Sequence, residues 1–220
     1  MIRLWTFGVV IVAMASGYCI LYVAPPEAMQ GYVQKIFYIH ISSALSMYVG
    51  FLSAGVGSLL YLLRRAEWAD ALAVAGAEVG VVFCTIVLTT GPIWARPIWG
   101  VWWTWDPRLT STLFCWLIFV SYILVRHALE NPERRRLVSA AVAIIGLLDI
   151  PIIHFAVKLW RGAHPSVKGT KDAMPMEMYT TLYLTMTAVI GLATLLIRLR
   201  YLIERRRETG NFLQEGMPYA

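Results

Sequence analysis

The chain has 220 residues, of which 59% are hydrophobic and only 15% charged, with a formal net charge of +6 and a mean hydropathy of +0.63. Soluble domains run to about 45–50% apolar and about 25% charged. This composition therefore excludes a soluble enzyme, a disordered chain and a disulfide scaffold, and it points to an integral membrane protein. The positive charge does not argue for nucleic acid, because most of it falls at the ends of apolar runs, where a membrane protein keeps it.

A helix needs about 20 apolar residues to cross the hydrocarbon, and the chain offers six such stretches. The first, at about 4–24, follows a single Arg3 and lacks a small-x-small cleavage site near its end, so it reads as a spanning helix and not as a removable leader. It ends at the Pro25–Pro26 turn. The second, 36–63, opens with KIFYIHISS, which sets His40 just inside one end, and stops at the charged RRAEWAD (64–70). The third, 71–93, contains Glu78 and gives way to a Trp-rich segment, 94–109. The fourth, 110–126, ends at RHALENPERRR (126–136). The fifth, 137–158, carries Asp149 and His154 and leads into RGAHPSVKGTKDAMP (161–175), which contains His164. The sixth covers 177–199 and runs into an Arg-rich end. These spans predict an all-α bundle of six transmembrane helices in a lipid bilayer, one membrane domain over 1–220.

Sidedness follows from the excess of Lys and Arg in cytoplasmic loops. If the spans alternate, twelve of the 19 basic residues fall on the side of the N-terminus and seven on the other. Both termini are therefore expected in the cytoplasm, with the Trp-rich segment and the stretches 25–35 and 159–175 facing outward. Cys19, Cys84 and Cys115 lie singly in apolar runs, with no C-x-x-C or C-x-x-C-H spacing, and read as small packing residues. No phosphate-binding loop and no nucleophile motif occurs, so neither P-loop ATP hydrolysis nor covalent catalysis is expected.

The Trp-rich segment is the feature that calls for chemistry. Five of the nine Trp (Trp94, Trp99, Trp102, Trp103 and Trp105) lie within twelve residues, interleaved with Arg96 and followed by Asp106 and Arg108. An interfacial aromatic belt would spread its Trp over many helix ends on both sides. Concentration in one outer segment predicts instead a platform for a large, flat, apolar ligand with an acidic edge. Indole faces stack on such a plate, and Arg makes bidentate bonds to carboxylates. Haem, with its two propionates, fits that description. Asp106 has the wrong sign for propionates and suits orienting an Arg or accepting from an indole N–H. Haem iron also takes axial ligands, most often His. His127 falls on the cytoplasmic side, while His40, His154 and His164 lie at similar depth near the Trp-rich segment; composition does not choose two of the three. Glu78 and Asp149 are costly within a bilayer and serve either a function or a hydrogen bond between helices.

The run WGVWWTWDPRLTS (99–111) resembles the signature of the tryptophan-rich (WWD) haem-handling, or cytochrome c assembly, family. Length and six spans narrow the resemblance to the cytochrome c maturation protein C (CcmC) type, and LTTGPIWARPIWG (88–100), FYIH (37–40) and PIIHFAVKLWRGAHP (151–165) share it. The resemblance implies a protein of the inner membrane that holds haem b non-covalently at its periplasmic face, with His40 and His164 as axial ligands. Trp99, Trp102, Trp103 and Trp105 would then stack along the ring, and Arg108 and Arg96 would hold propionates, beside Asp106. It also implies presentation of haem to a periplasmic chaperone of the CcmE type, a small CcmD-type subunit, and a CcmA and CcmB ATP-binding cassette pair. Pro107 departs from the expected small residue and should stiffen the Asp106–Arg108 turn. The expected activity is binding and delivery, not catalysis. A haem lyase, a b-type electron-transfer cytochrome and a haem permease are the competing readings; 220 residues are short for the first, the useful His lie at one face rather than two, and no polar pathway beyond Glu78 and Asp149 supports the third.

Overall fold

In hydrocarbon no water is on hand to satisfy a backbone N–H or C=O, so an apolar stretch of this length must close its own hydrogen bonds as a helix. The computed structural model, whose described residues are 2–160 and 174–215 (side chains at 157–159 and 208–215 excepted), does so six times. The elements are α1 (Ile2–Tyr18, prolonged by a π turn at Cys19–Val23), α2 (Ile36–Arg64, entered through a 3-10 turn at Tyr32–Lys35), α3 (Glu67–Trp99), α4 (Pro107–Ala128), α5 (Pro132–Trp160) and α6 (Met176–Glu215). All six are long and apolar enough to span a membrane, and no strand occurs among the described residues. The all-α six-helix architecture is therefore as the sequence predicts.

Helix α6 runs well past its predicted end at 199, to Glu215, but the departure that shapes the site is at α3. The apolar stretch predicts an end at 93, yet the helix continues through Pro92 and Pro97 to Trp99. Each proline removes one intrahelical bond, to the carbonyls of Leu88 and Ile93, and membrane helices tolerate this where neighbouring groups re-satisfy the backbone. As a result Trp94, Arg96 and Trp99 stand on helix, and the non-helical part of the Trp-rich segment shrinks to 100–106. Helix α3 ends where Gly100 takes φ +75° and its N–H bonds the Arg96 carbonyl at 3.0 Å, a left-handed cap that favours glycine.

The core sits where α2 and α3 pack. An added Cβ at Gly50 would fall 2.6 Å from the Gly80 Cα, and one at Gly76 would fall 2.6 Å from the Ala54 nitrogen, so the two backbones meet through small residues. Beside them the rings of Phe51 and Phe119 stack at 4.0 Å and bring α4 against α2, with Met47, Cys84, Cys115 and Tyr122 filling the same interior. Cys84 and Cys115 are buried free thiols, in keeping with their reading as packing residues. Helix α1 is mostly exposed along large apolar side chains such as Leu4, Phe7, Met14 and Leu21, the surface of a helix that faces lipid. One buried bond, Ser16 Oγ to Thr185 Oγ1 at 2.8 Å, ties it to α6.

One end of the bundle is closed by charge. Arg126 donates two hydrogen bonds to Asp70, at 2.7 and 2.8 Å, and Arg136 reaches both Asp70 and Glu67. Arg200 on α6 binds Glu78 on α3 through Nε and Nη2 and also binds Glu204. Glu78, one of the two acids within spans, thus pairs two helices. The other, Asp149, keeps Oδ2 buried with no hydrogen-bond partner among the described residues.

Candidate functional site

At the opposite end, the start of α2, the last turns of α3, the 100–106 segment and the first turn of α4 surround a cavity of about 230 Å³. Its lining is Gln30, His40, Gly91, Pro92, Trp94, Ala95, Ile98, Trp99, Trp102, Trp103 and Leu109. Four indoles and one imidazole therefore share a space whose remaining lining is apolar apart from Gln30. The continuation of α3 past its two prolines makes this possible, because it carries Trp94, Ala95, Ile98 and Trp99 on successive turns of one helix.

His40 is buried, 6% exposed. Its Nδ1 lies 2.9 Å from Thr90 Oγ1, and its ring meets Trp94 edge to face at 5.8 Å. Trp94 is held in turn by Phe37, at 5.8 Å between ring centres, and by a 2.9 Å bond from its Nε1 to Gln30 Oε1. Gly91 packs beside the imidazole, where a Cβ would sit 3.4 Å from His40 Cε1. Trp103 meets Trp105 edge to face at 5.8 Å, and its Nε1 is buried without a hydrogen-bond partner among the described residues. Trp102 and Trp105 are 59% and 76% exposed and offer indole surface beyond the cavity.

The remaining predicted site residues fall nearby with other partners. Asp106 caps α4: its carboxylate accepts the Leu109 N–H at 2.9 Å, and Pro107 follows at the first helical position, where its fixed φ and missing N–H are favourable. That is the physical reason for a proline at 107. Arg96 donates to the Gly100 carbonyl at the end of α3. Arg108 donates to the His154 carbonyl at 3.2 Å, linking α4 to α5. Neither Arg is among the residues lining the cavity. His154 is exposed, beside Phe155, and is likewise not in the lining. His164 lies outside the described residues. Gln30, Gly91 and Ala95 line the cavity and Thr90 contacts His40, although nothing in their residue types marks them as site residues. Trp94 was seen as part of the cluster, and only the helical register of α3 shows that it faces His40.

Haem, the ligand that the Trp-rich segment suggests, can be tested against this donor set. A buried imidazole provides a nitrogen ligand, flat indole walls match an aromatic plate, and the unsatisfied Trp103 Nε1 can donate to an acceptor on the ligand. The residues present fit the group. At about 230 Å³ the cavity is smaller than the roughly 300–1,000 Å³ of a typical ligand site, so it has room for part of a macrocycle, with the exposed Trp102 and Trp105 beyond it.

Fold and site together define a multi-pass membrane protein with an indole-walled, imidazole-bearing pocket at one end. The sequence model of the family described as heme exporter protein C (CcmC) matches residues 1–214, and the chain belongs to that family. A "Heme exporter protein C" of Paracoccus denitrificans is 36% identical over 192 residues, covering 84% of this chain and 80% of the relative. A protein of that name from Bradyrhizobium diazoefficiens is 36% identical over 162 residues, 73% of this chain and 61% of the relative. The one from Escherichia coli K12 is 32% identical over 189 residues, 84% and 77% of the two chains.

Proposed function

We propose that this protein binds haem b non-covalently at the periplasmic face of the inner membrane and presents it to a periplasmic haem chaperone during c-type cytochrome biogenesis. Membership of the heme exporter protein C family supports the haem-handling role. The observation that carries the site is His40, buried in the wall of the indole-lined cavity. In this reading His40 and His164 are the axial ligands, and Trp99, Trp102, Trp103 and Trp105 lie along the ring. Arg96, in the last turn of α3, and Arg108, at the start of α4, supply positive charge for the propionates, and Asp106 holds the turn between them and the indoles. The sidedness rests on the twelve-to-seven distribution of basic residues. The chain acts by delivery and not by catalysis. Its partners are a CcmE-type chaperone, a small CcmD-type subunit and a CcmA and CcmB transporter pair.

The exposed indoles Trp102 and Trp105 favour presentation over burial, since a haem against them keeps an edge accessible to a partner. The test is the haem content and absorption spectrum of the purified protein and of the His40→Ala and His164→Ala variants. One low-spin haem, weakened by either substitution, is expected. An unchanged spectrum in both variants would falsify the ligand assignment and turn attention to His154.

A further inference from the structure

We infer that Thr90 is a positioning residue that locks His40 in the Nδ1–H tautomer and so reserves its Nε2 lone pair for iron. The inference rests on His40 being an axial ligand, as proposed above. A threonine hydroxyl has one proton to give and lone pairs to accept with. Thr90 Oγ1 lies 2.7 Å from the Ile86 carbonyl oxygen, one turn earlier in α3. A carbonyl only accepts, so the Thr90 proton is committed to that bond, as is usual for threonine inside a helix.

The same oxygen is 2.9 Å from His40 Nδ1. With its proton spent on Ile86, Oγ1 must accept in this second contact, and Nδ1 must therefore carry the hydrogen. A neutral imidazole has only one N–H, so Nε2 then holds the lone pair that a metal requires. Trp94 holds the ring in this pose, meeting it edge to face at 5.8 Å between ring centres. Metal-ligating histidines generally have their second nitrogen fixed by such a partner, and loss of the partner costs about 10–100-fold in affinity. The partner in this site is a hydroxyl and not a carboxylate. It orients the ring without adding negative charge, which keeps the Fe–His bond weaker than a carboxylate-backed one and suits a site that must release its haem.

The test begins with the haem-free full-length protein in nanodiscs, with its histidines labelled with 15N and the His40 signals assigned by their loss in His40→Ala. The wild type should show Nδ1 protonated and Nε2 unprotonated, and Thr90→Ser should preserve this. Thr90→Val, of nearly the same shape, should shift the population toward Nε2–H and weaken haem binding by about 10–100-fold, with Thr90→Ser near wild type. A wild-type protein with His40 protonated at Nε2 overturns the inference without any variant. So does a folded Thr90→Val that keeps both the tautomer and the haem affinity. Failure of the ligand reading is distinguishable: His40→Ala would then bind haem with an unchanged spectrum, whatever tautomer the haem-free protein displays.

Discussion

The two ends of the bundle are built differently, one from ion pairs and the other around a cavity. At one end Glu67, Asp70, Glu78 and Glu204 are matched to Arg126, Arg136 and Arg200, and the bidentate geometry of the Asp70 and Glu78 pairs leaves these carboxylates satisfied within the protein. At the other end Trp103 Nε1 and Thr104 Oγ1 are buried without partners among the described residues, and the chain encloses a cavity instead of filling it. Helix α3 belongs to both: Asp70 and Trp94 are 24 residues apart, about 36 Å at 1.5 Å per residue. Where carboxylates meet arginines across helices, the residues hold the bundle together. Where indoles and an imidazole surround open space, the architecture leaves room for a ligand.

This contrast can be broken from either side. Asp70→Ala should have the largest effect on stability, because the Asp70 and Arg126 side chains are only 3% and 10% exposed and removal of one partner leaves a buried charge. A loss of about 3–5 kcal/mol is expected, read as a lower unfolding midpoint in detergent, while the molecules that remain folded keep the wild-type haem spectrum. A haem defect at unchanged stability would mean that this end belongs to the binding site. Asp106→Ala should cost less, about 1 kcal/mol from the lost cap of α4, but it should loosen the 100–106 segment that carries Trp102, Trp103 and Trp105. Weaker haem binding, restored by Asp106→Asn, is the expected pattern. Equal losses in the Ala and Asn variants would show that the negative charge, and not the cap, matters at this position.

The six spans were legible because hydrophobic length is imposed by the bilayer itself. The extent of α3 was not, because glycine–proline and arginine–proline steps stop helices in water yet persist in a membrane helix, where the backbone has few other partners. Its six additional residues decide the site, since Trp94 and Trp99 line the cavity from helix and not from a loop. His40 and the Trp cluster stood out by residue type. Thr90 and Gln30 did not, because a threonine on an apolar helix is ordinarily bonded to its own backbone and nothing local announces a second acceptor role. The arginines were legible as cations, but their bonds to the Gly100 and His154 carbonyls depend on how α3 ends and how α5 packs. The Asp106–Pro107 step combines two local signals, an N-cap and a first-turn proline, so the start of α4 is legible in the sequence.

The central claim is that the cavity beside His40 receives the haem. Ala95 lines that cavity, is buried, and makes no part of the proposed ligand set. Ala95→Phe would occupy the space while leaving His40, His164 and every Trp in place. Titration of haem into the purified variant, followed by Soret absorbance, is predicted to give at least about tenfold weaker binding, a change of roughly 1.4 kcal/mol, with an unfolding midpoint close to wild type. A folded Ala95→Phe protein that takes up haem with wild-type affinity and spectrum would contradict the claim.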